Sequence, residues 1–564
     1  MTRRLVGVLV VSGLLKVTLA LLFANLPPRF DEAEFLDFGS RVAGGAAPVP
    51  WRAPGYQWLV ALGLHLGGGS AGGVRVLQAL LSVLTTWVVW RTGRRLFGER
   101  AAFAAAAFVA FYPPLVAFSH LLWTETLYVA LLVAAFDRAL AADQTEGRGA
   151  ALASGALFGA ASLVRSTGLV LLAVTLGWWL VRRGRRGLVA AALLAATAAA
   201  VVVPWSLHAS ARSGRLVVVD TNAGFNLWSG NDEYVPADLQ GIWSVGLPLE
   251  NGAEDGLGDA LRAKGRDPGL ARFFPHDAWR SQVPARLASA GIHDLSSPAA
   301  DAWFRGEALR EIRAKPATFL ARVPRRLAAF WSLDYFLPRH LLRDWYGAVP
   351  SSLAILLVML TWAASAVALW LGPAALLSLG RSSFRSLTLA WLAATLVLHG
   401  VTFGVSRMHE PLVPFLALAA AAHLFMEERG ERPRLRPLGV AAFGLAACAW
   451  IAALPVVVGL YTAPGPRHLG VARALGAVRH LPLPGARWAA WMTAEDEAAC
   501  GNDAAAARIL DEPKHAGDPW SLYLRALVTP EPDRARTFVA AALARDPFLE
   551  PARLLQRSLA ERSP

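Results

Sequence analysis

Residues 5–26 read LVGVLVVSGLLKVTLALLFANL, and Pro27-Pro28-Arg29-Phe30-Asp31-Glu32-Ala33-Glu34 follows at once. The first stretch carries one charge, Lys16, and is long enough to cross a hydrocarbon core of about 30 Å as a helix. Its apolar length exceeds a signal-peptide core, and no small-x-small cleavage site follows it. The second stretch sets three carboxylates within four residues where the chain leaves the lipid. Charged groups in that position are costly and act as markers of function, so this window suggests both a membrane fold and the place of its chemistry.

Working outward, the same apolar pattern recurs. Candidate spans are Val74–Trp90, Ala101–Phe118, Leu122–Phe136, Gly149–Val164, Gly168–Val181, Leu188–Leu207, Ser352–Leu371, Leu387–Phe403, Leu412–Phe425 and Leu438–Leu460. Together with the first they make eleven spans and predict an all-α polytopic membrane protein. A mean hydropathy of +0.41 with 17% charged residues over 564 residues excludes a chain of soluble domains and a disordered one. The net charge of +14 does not point to nucleic acid, because the arginines lie between apolar spans and not on one soluble face.

Those arginines order the topology. With a cytoplasmic N-terminus, the inner connections carry Arg91, Arg94, Arg95 and Arg100, then Arg138 and Arg148, then Arg182, Arg183, Arg185 and Arg186, then Arg381 and Arg385, then Arg429, Arg432, Arg434 and Arg436. The short outer hairpins carry only Arg165 and Arg407. This is the expected inside-positive asymmetry, and an odd span count puts the C-terminus outside. The expected organisation is a membrane domain over 1–460, with outer loops at 27–73 and 208–351, and an outer helical tail over 461–564. The large loop is expected to be mixed in secondary structure. Arginine-dominated basic residues and abundant alanine suggest a bacterial inner membrane. In the long loop, Phe319, Val323, Leu327 and Phe330 recur at helical spacing against Arg322, Arg325 and Arg326, as in a helix lying in the interface or packed on the loop itself. In the tail, Ala535, the Ala540-Ala541-Ala542-Leu543-Ala544 run and Asp546-Pro547 resemble the second half of a tetratricopeptide unit. Cys448 and Cys500 lie in unlike surroundings and are not expected to pair.

The outer ends of the spans hold the candidate site. If 31–34 is helical, Asp31 and Glu34 share a face at i, i+3 and Glu32 points elsewhere. Close like charges and burial are expected to raise a carboxyl here and suit it to accept a proton, although acids also simply favour a helix start. Arg52, in Trp51-Arg52-Ala53-Pro54-Gly55-Tyr56, is of the type that grips phosphate, or else a snorkelling interfacial residue. Ser119 and His120, Glu125, Arg165 and Ser406-Arg407-Met408-His409-Glu410-Pro411 are the other outer polar groups, each a member of one outer cavity or else a helix cap or a buried ion pair. Asn226, Trp228 and Asn231 are the candidates in the long loop, with a plain turn as the other reading. No glycine-rich phosphate loop of nucleotide-binding spacing occurs.

In order, Phe30-Asp31-Glu32, Arg52-Ala53-Pro54-Gly55-Tyr56, Tyr112-Pro113-Pro114 with Thr124-Glu125-Thr126-Leu127, Leu163-Val164-Arg165-Ser166-Thr167-Gly168, Pro204-Trp205, Asn226-Leu227-Trp228-Ser229-Gly230-Asn231 and Arg407-Met408-His409-Glu410-Pro411-Leu412-Val413-Pro414 resemble the protein-mannosyltransferase-like glycosyltransferases of the GT-C fold. That family, glycosyltransferase family 39, has bacterial relatives of the aminoarabinose-transferase type. The resemblance runs over roughly residues 1–430 and implies transfer of a sugar from a polyprenyl-phosphate carrier to a lipid, glycan or protein acceptor on the outer face. It implies Asp31 as the catalytic acid with Glu32 as its neighbour. It implies Arg52 and Arg407, with Arg165, as donor-phosphate ligands, and a substrate cavity drawing on Tyr56, Glu125, His409, Asn226, Trp228 and Asn231. Two departures stand out: His208 and Ala209 follow Pro204-Trp205 where relatives often carry an arginine and an asparagine, and Trp51 stands where the aminoarabinose transferase has an acid. The second weakens a carried-over divalent-metal site, and no other cofactor is implied. The competing readings are a non-catalytic transporter or lipid-carrier flippase with a charged outer gate, and a scaffold whose tail recruits partners. Apart from Lys16, no charge sits mid-span, and no inverted repeat of interrupted helices is visible, which speaks against transport.

Overall fold

The computed structural model describes residues 3–28, 31–145, 147–232, 283–342, 345–426 and 435–456, and in the C-terminal part 490, 491, 494, 497, 502–513, 515–547 and 549–561. Among these the architecture is helical, with no strand. The expected mixed character of the long loop therefore finds no strand at 208–232 or 283–342, and its middle part lies outside the described residues. In chain order the helices are α1 Arg3–Leu22, α2 Asp31–Ala43, α3 Pro54–Leu66, α4 Ala71–Phe97, α5 Glu99–Phe111, α6 Pro113–Phe118, α7 Glu125–Thr145, α8 Arg148–Val164, α9 Thr167–Arg183, α10 Leu188–Ser213, α11 Ala223–Ser229, α12 Pro298–Ala314, α13 Pro316–Phe330 and α14 Phe336–Leu342. They continue as α15 Ser351–Ala366, α16 Gly372–Ser378, α17 Ser383–Val401, α18 Val413–Phe425, α19 Pro437–Val456, α20 Asp503–Leu510, α21 Pro519–Leu527, α22 Pro532–Arg545 and α23 Glu550–Glu561.

Each of the eleven apolar stretches contains a helix. Among the described residues six helical stretches are long and apolar enough to cross a membrane, one of them, Thr167–Ser213, being α9 and α10 read together. The chain is thus a multi-pass membrane protein built of helices. The pattern of residues explains how the spans pack. α1 turns Leu5, Ser12, Lys16 and Ala20 inward and leaves Val10, Val11, Leu14, Leu21 and Leu22 outward. α8 closes on α10 because Gly155 and Gly159 have no side chain there: a Cβ on Gly155 would stand 2.2 Å from the Leu194 carbonyl oxygen, and one on Gly159 would stand 2.9 Å from that of Ala198. Small residues permit such approach in lipid, where backbone contact and not apolar burial drives association.

At the end of the bundle opposite the acidic cluster, the arginines read as topology signals also close the structure. Asp137 of α7 is fully buried and pairs with Arg91, with Arg95 at 3.0 Å and with Arg138 at 2.5 Å. Asp143 pairs with Arg182 at 3.2 Å and Arg183 at 2.8 Å and accepts from the Ser383 hydroxyl at 2.6 Å.

The helix expected at 319–330 is α13, but its arginines do not lie outward. Arg326 is wholly buried and donates to the carbonyls of Gly400 (2.8 Å), Val401 (3.0 Å) and Gly230 and to Asn231 Oδ1 (2.7 Å). The end of α17 leaves its last carbonyls without intrahelical donors, and Arg326 satisfies them. α13 consequently rests on α17 and the 230–231 turn. The tail pairs α21 with α22 and α22 with α23, burying Ala535, Val539 and Ala542. Its Trp491, Trp520 and Leu527 belong to one apolar cluster with Phe304 of α12, Phe225 and Trp228 of α11, and Trp51.

Candidate functional site

The acidic cluster opens α2. Pro27 and Pro28 cannot continue α1, and three acids in the first turn of α2 complement its amide end. The helical register separates the carboxylates as the i, i+3 spacing requires. Asp31 and Glu34 face Arg52, whose Nη2 lies 3.6 Å from Asp31 and 2.7 Å from Glu34, with Nε also donating to Glu34 at 3.0 Å. Glu32 turns the other way, accepts from the Leu122 amide at 2.7 Å and stands 3.9 Å from Arg75.

Arg52 is positioned by its loop. Gln57 of α3 accepts from the Val49 amide at 2.9 Å and donates to the carbonyls of Val49 at 2.8 Å and Arg52 at 3.0 Å. Pro54 starts α3, and Gly55 lets that start press on the end of α8, since a Cβ on it would lie 2.8 Å from the Leu163 oxygen. The contact brings Arg52 towards Arg165, two residues beyond Leu163. Arg165 donates to the fully buried Glu125 at 2.8 Å, and its guanidinium lies 5.5 Å from the centre of the Tyr128 ring.

The third arginine arrives from a region distant in sequence. Arg407, in the 3₁₀ turn Ser406–Leu412, donates to Asp31 at 3.0 Å and rests 4.2 Å from the Trp123 ring centre. Arg52, Arg165 and Arg407 thus meet Asp31, Glu34 and Glu125 at one end of the bundle. A narrow crevice lined by Arg165, Tyr128, Leu171, Trp391, Leu398 and Leu412 runs from this cluster among α7, α9, α17 and the 3₁₀ turn.

The electrostatics differ from the expectation for Asp31. Burial alone would raise its carboxyl, but Arg407, Arg52 and Arg165 together outweigh burial and hold it below the usual carboxylate range. Arg52, Arg165 and Arg407 are each ion-paired with one of these acids. Burial likewise works against the charge on Arg52, but Glu34, Asp31 and Asp220 overcome it and raise the guanidinium further.

The remaining candidates are placed as follows. Tyr56 is fully buried, donates its hydroxyl to Gln78 and sets its ring edge-on to Phe35 at 4.9 Å. His409 is fully buried behind Arg407. Its Nδ1 lies 2.6 Å from the Phe330 carbonyl oxygen, which only accepts, so Nδ1 carries the proton. Its Nε2 lies 3.5 Å from Glu410. Asn231 donates to the carbonyls of Leu227 at 2.7 Å and Val401 at 3.1 Å, Asn226 donates to Asn222 at 3.1 Å, and Trp228 packs 5.2 Å from Phe304. These three are engaged in holding the 222–232 segment, and the arginine cluster does not include them. Ser119 and His120 pack beside α4, His120 facing the Tyr346 hydroxyl at 2.9 Å.

Three residues escaped the sequence reading. Arg75, near the start of α4, is fully buried and donates to the carbonyls of Leu26 at 3.1 Å and His120. A lone arginine at a span edge was its only signal. Asp334 is fully buried next to Glu410; the amides of Phe336 and Leu337 lie near its carboxyl without forming well-shaped hydrogen bonds to it. Asp220, after α10, lies beside Arg52. Among the described residues no group of three or more His, Cys, Asp or Glu side chains is arranged to hold a metal ion.

A polytopic helical bundle with three arginines interleaved with acids at one end defines a membrane protein with a polar, ion-paired cluster there. Residues 51–208, which hold Arg52, Tyr56, Glu125 and Arg165, match the family model described as dolichyl-phosphate-mannose-protein mannosyltransferase. No curated protein matches the sequence. Similar solved structures include ArnT from Cupriavidus metallidurans bound to undecaprenyl phosphate, at 18% identity over 74% of this chain and 77% of that one, with a TM-score of 0.35. Another is the archaeal oligosaccharyltransferase AglB from Archaeoglobus fulgidus in complex with an inhibitory peptide and a dolichol-phosphate, at 15% identity over 84% of this chain and 56% of that one, with a TM-score of 0.39. These likenesses are too loose for residues to be equated across them.

Proposed function

We propose that the chain is a glycosyltransferase that moves a sugar from a polyprenyl-phosphate donor to an acceptor hydroxyl at the extracytoplasmic face of a bacterial inner membrane, with its N-terminus in the cytoplasm. The observation that carries this is the convergence of Arg52, Arg165 and Arg407 on one membrane-proximal cluster at the mouth of an apolar crevice. Three guanidiniums suit a phosphate, and the crevice beside Arg165 suits the isoprenoid attached to it.

Arg407 and Arg52 hold Asp31 in its ionised form while the site is empty. A donor phosphate competes for both arginines, and its negative charge raises the proton affinity of Asp31. Asp31 then accepts the proton of the acceptor hydroxyl as that oxygen bonds to the anomeric carbon. The bond from that carbon to the phosphate oxygen breaks, and the polyprenyl phosphate departs against the arginines. A single displacement inverts the anomeric configuration. In this reading Glu32 holds the start of α2 against Leu122 and Arg75, and Glu125 orients Arg165. A divalent metal is not required by this scheme.

The test is transfer of labelled sugar from a panel of undecaprenyl-phosphate sugars in membranes containing the native chain or Asp31→Asn at matched expression. Asp31-dependent transfer with inverted configuration supports the reading, and a retained configuration sinks the single displacement. The second reading, a transporter or lipid-carrier flippase, draws on Lys16, fully buried in α1 with an ammonium that has no hydrogen-bond partner among the described residues. No carrier release with any donor from a folded chain, or lipid flipping that depends on Lys16, would favour it.

A further inference from the structure

Four carboxylates at this end of the bundle are already committed. Asp31 accepts from Arg407, Glu34 from Arg52, Glu125 from Arg165, and Glu32 from the Leu122 amide. Asp220 differs: it lies beside Arg52 but forms no ion pair among the described residues, and its side chain is partly exposed. Its position is fixed from both sides in sequence. Trp205 of α10 donates to the Val219 carbonyl at 2.7 Å, the Thr221 amide donates to the Pro50 carbonyl at 2.8 Å, and the Thr221 hydroxyl donates to the Ser296 carbonyl at 2.6 Å. Residue 220 is thereby pinned to the same loop that carries Arg52.

The Ser166 hydroxyl and the Asn222 amide lie near the carboxyl without forming well-shaped hydrogen bonds to it. Ser166 is the neighbour of Arg165, so Asp220 spans the interval between the loop of Arg52 and the turn of Arg165. A carboxylate has about four lone-pair positions, and among the described residues no well-formed donor occupies them. It repels a phosphate, so the ligand it can take is a hydrogen-bond donor. Beside a site proposed to join a sugar to a hydroxyl, that donor is a hydroxyl group.

We propose that Asp220 is a specificity-determining residue that accepts a hydrogen bond from a hydroxyl of the substrates, placed between Arg52 and Arg165; this rests on the transferase reading above. The hydroxyl belongs either to the sugar on the donor or to the acceptor. A carboxylate that binds a hydroxyl confers strong discrimination, because an analogue without it leaves a desolvated charge unmatched. The charged groups facing Asp220 are Arg52 from the 49–53 loop and Asp301 from α12, with Arg165 one residue from Ser166. Burial pushes the Asp220 carboxyl up to about 6 against the opposing Ser166 and Arg52, with Asp301 adding to the rise. Its hydroxyl-binding form therefore disappears as pH falls through about 6.

The experiment compares the native chain, Asp220→Asn and Asp220→Ala, using undecaprenyl-phosphate hexoses and pentoses and their deoxy analogues with acceptor-containing bacterial membranes. Asparagine has nearly the same shape, and Asp220 makes no ion pair among the described residues, so thermal unfolding is expected to be unchanged. The expected loss in kcat/KM is about 10-fold for Asp220→Asn and about 100-fold for Asp220→Ala, as for loss of a charge-assisted hydrogen bond. A rise in donor KM, with lost discrimination against one deoxy sugar, assigns the hydroxyl to the donor. A rise confined to acceptor KM assigns it to the acceptor. In either case the acidic limb near pH 6 is absent from Asp220→Asn. Native transfer, unchanged substrate constants and a persistent limb in the variants overturn this assignment alone, as does a loss that merely follows lowered thermal stability. No transfer by the native chain overturns the transferase reading and this assignment with it.

Discussion

Replacing Asp31 with asparagine separates catalysis from folding more cleanly than any other change at this site. The native carboxylate accepts one hydrogen bond from Arg407 at 3.0 Å and faces Arg52 at 3.6 Å, with Asp31 24% and Arg407 15% exposed. Asparagine retains an oxygen for Arg407, Arg52 keeps Glu34 at 2.7 Å, and Arg407 keeps its seat on Trp123. A charge-assisted hydrogen bond is worth about 1.5–3 kcal/mol, and since the bond is weakened and not deleted the expected loss of stability is about 1 kcal/mol. Loss of a general base costs about 10²–10⁴ in rate, or about 3–5 kcal/mol in the barrier. The two effects differ enough to be told apart. Turnover is measured as labelled sugar released from the carrier, and folding as thermal unfolding in the same detergent. A variant that retains more than about a tenth of native turnover refutes the role of Asp31. One that loses turnover only in proportion to folded protein refutes the reasoning that separates the two.

Arg407→Gln removes a proposed phosphate ligand and the main cation beside Asp31; donor KM is expected to rise about 10- to 100-fold with acceptor KM unchanged, and a second acidic limb, that of Asp31 below the Asp220 limb, to move to higher pH, because Arg407 lowers the Asp31 carboxyl. Steady-state kinetics, with the pH profile carried down through the carboxylate range, checks both. Arg326→Met leaves the carbonyls of Gly400, Val401 and Gly230 without this donor inside the fold and is expected to lower stability by about 3–5 kcal/mol, read by denaturant or thermal unfolding. For Asp334, burial reinforced by Glu410 pushes the carboxyl up to about 7, above its unfolded value of about 3.9. The native state therefore keeps a proton that the unfolded chain releases, so stability is highest below about pH 4 as far as this group is concerned and is lost as pH rises towards 7, by up to about 4 kcal/mol. Asp334→Asn is expected to flatten that slope and raise stability at pH 8; an unchanged slope removes Asp334 as its source.

Much of this protein is determined by local sequence. Spans such as 5–26 and 412–425 are legible because lipid demands long apolar helices, and the 31–34 acids are legible as a split pair because 3.6 residues per turn puts 31 with 34 and sends 32 away. What the sequence could not determine is which charges meet. Arg407 reaches Asp31 across 376 residues, Arg165 reaches Glu125 across 40, and Arg326 turns inward although its helix reads as amphipathic with arginines outward. The reason is that a single sequence carries periodicity but not pairing. The sign of the Asp31 shift follows from pairing: three acids read alone push a carboxyl up, and three arginines brought in by the fold pull it down. Asp220 is the same case, an ordinary acid in a loop until Trp205 and Pro50 fix it beside Arg52.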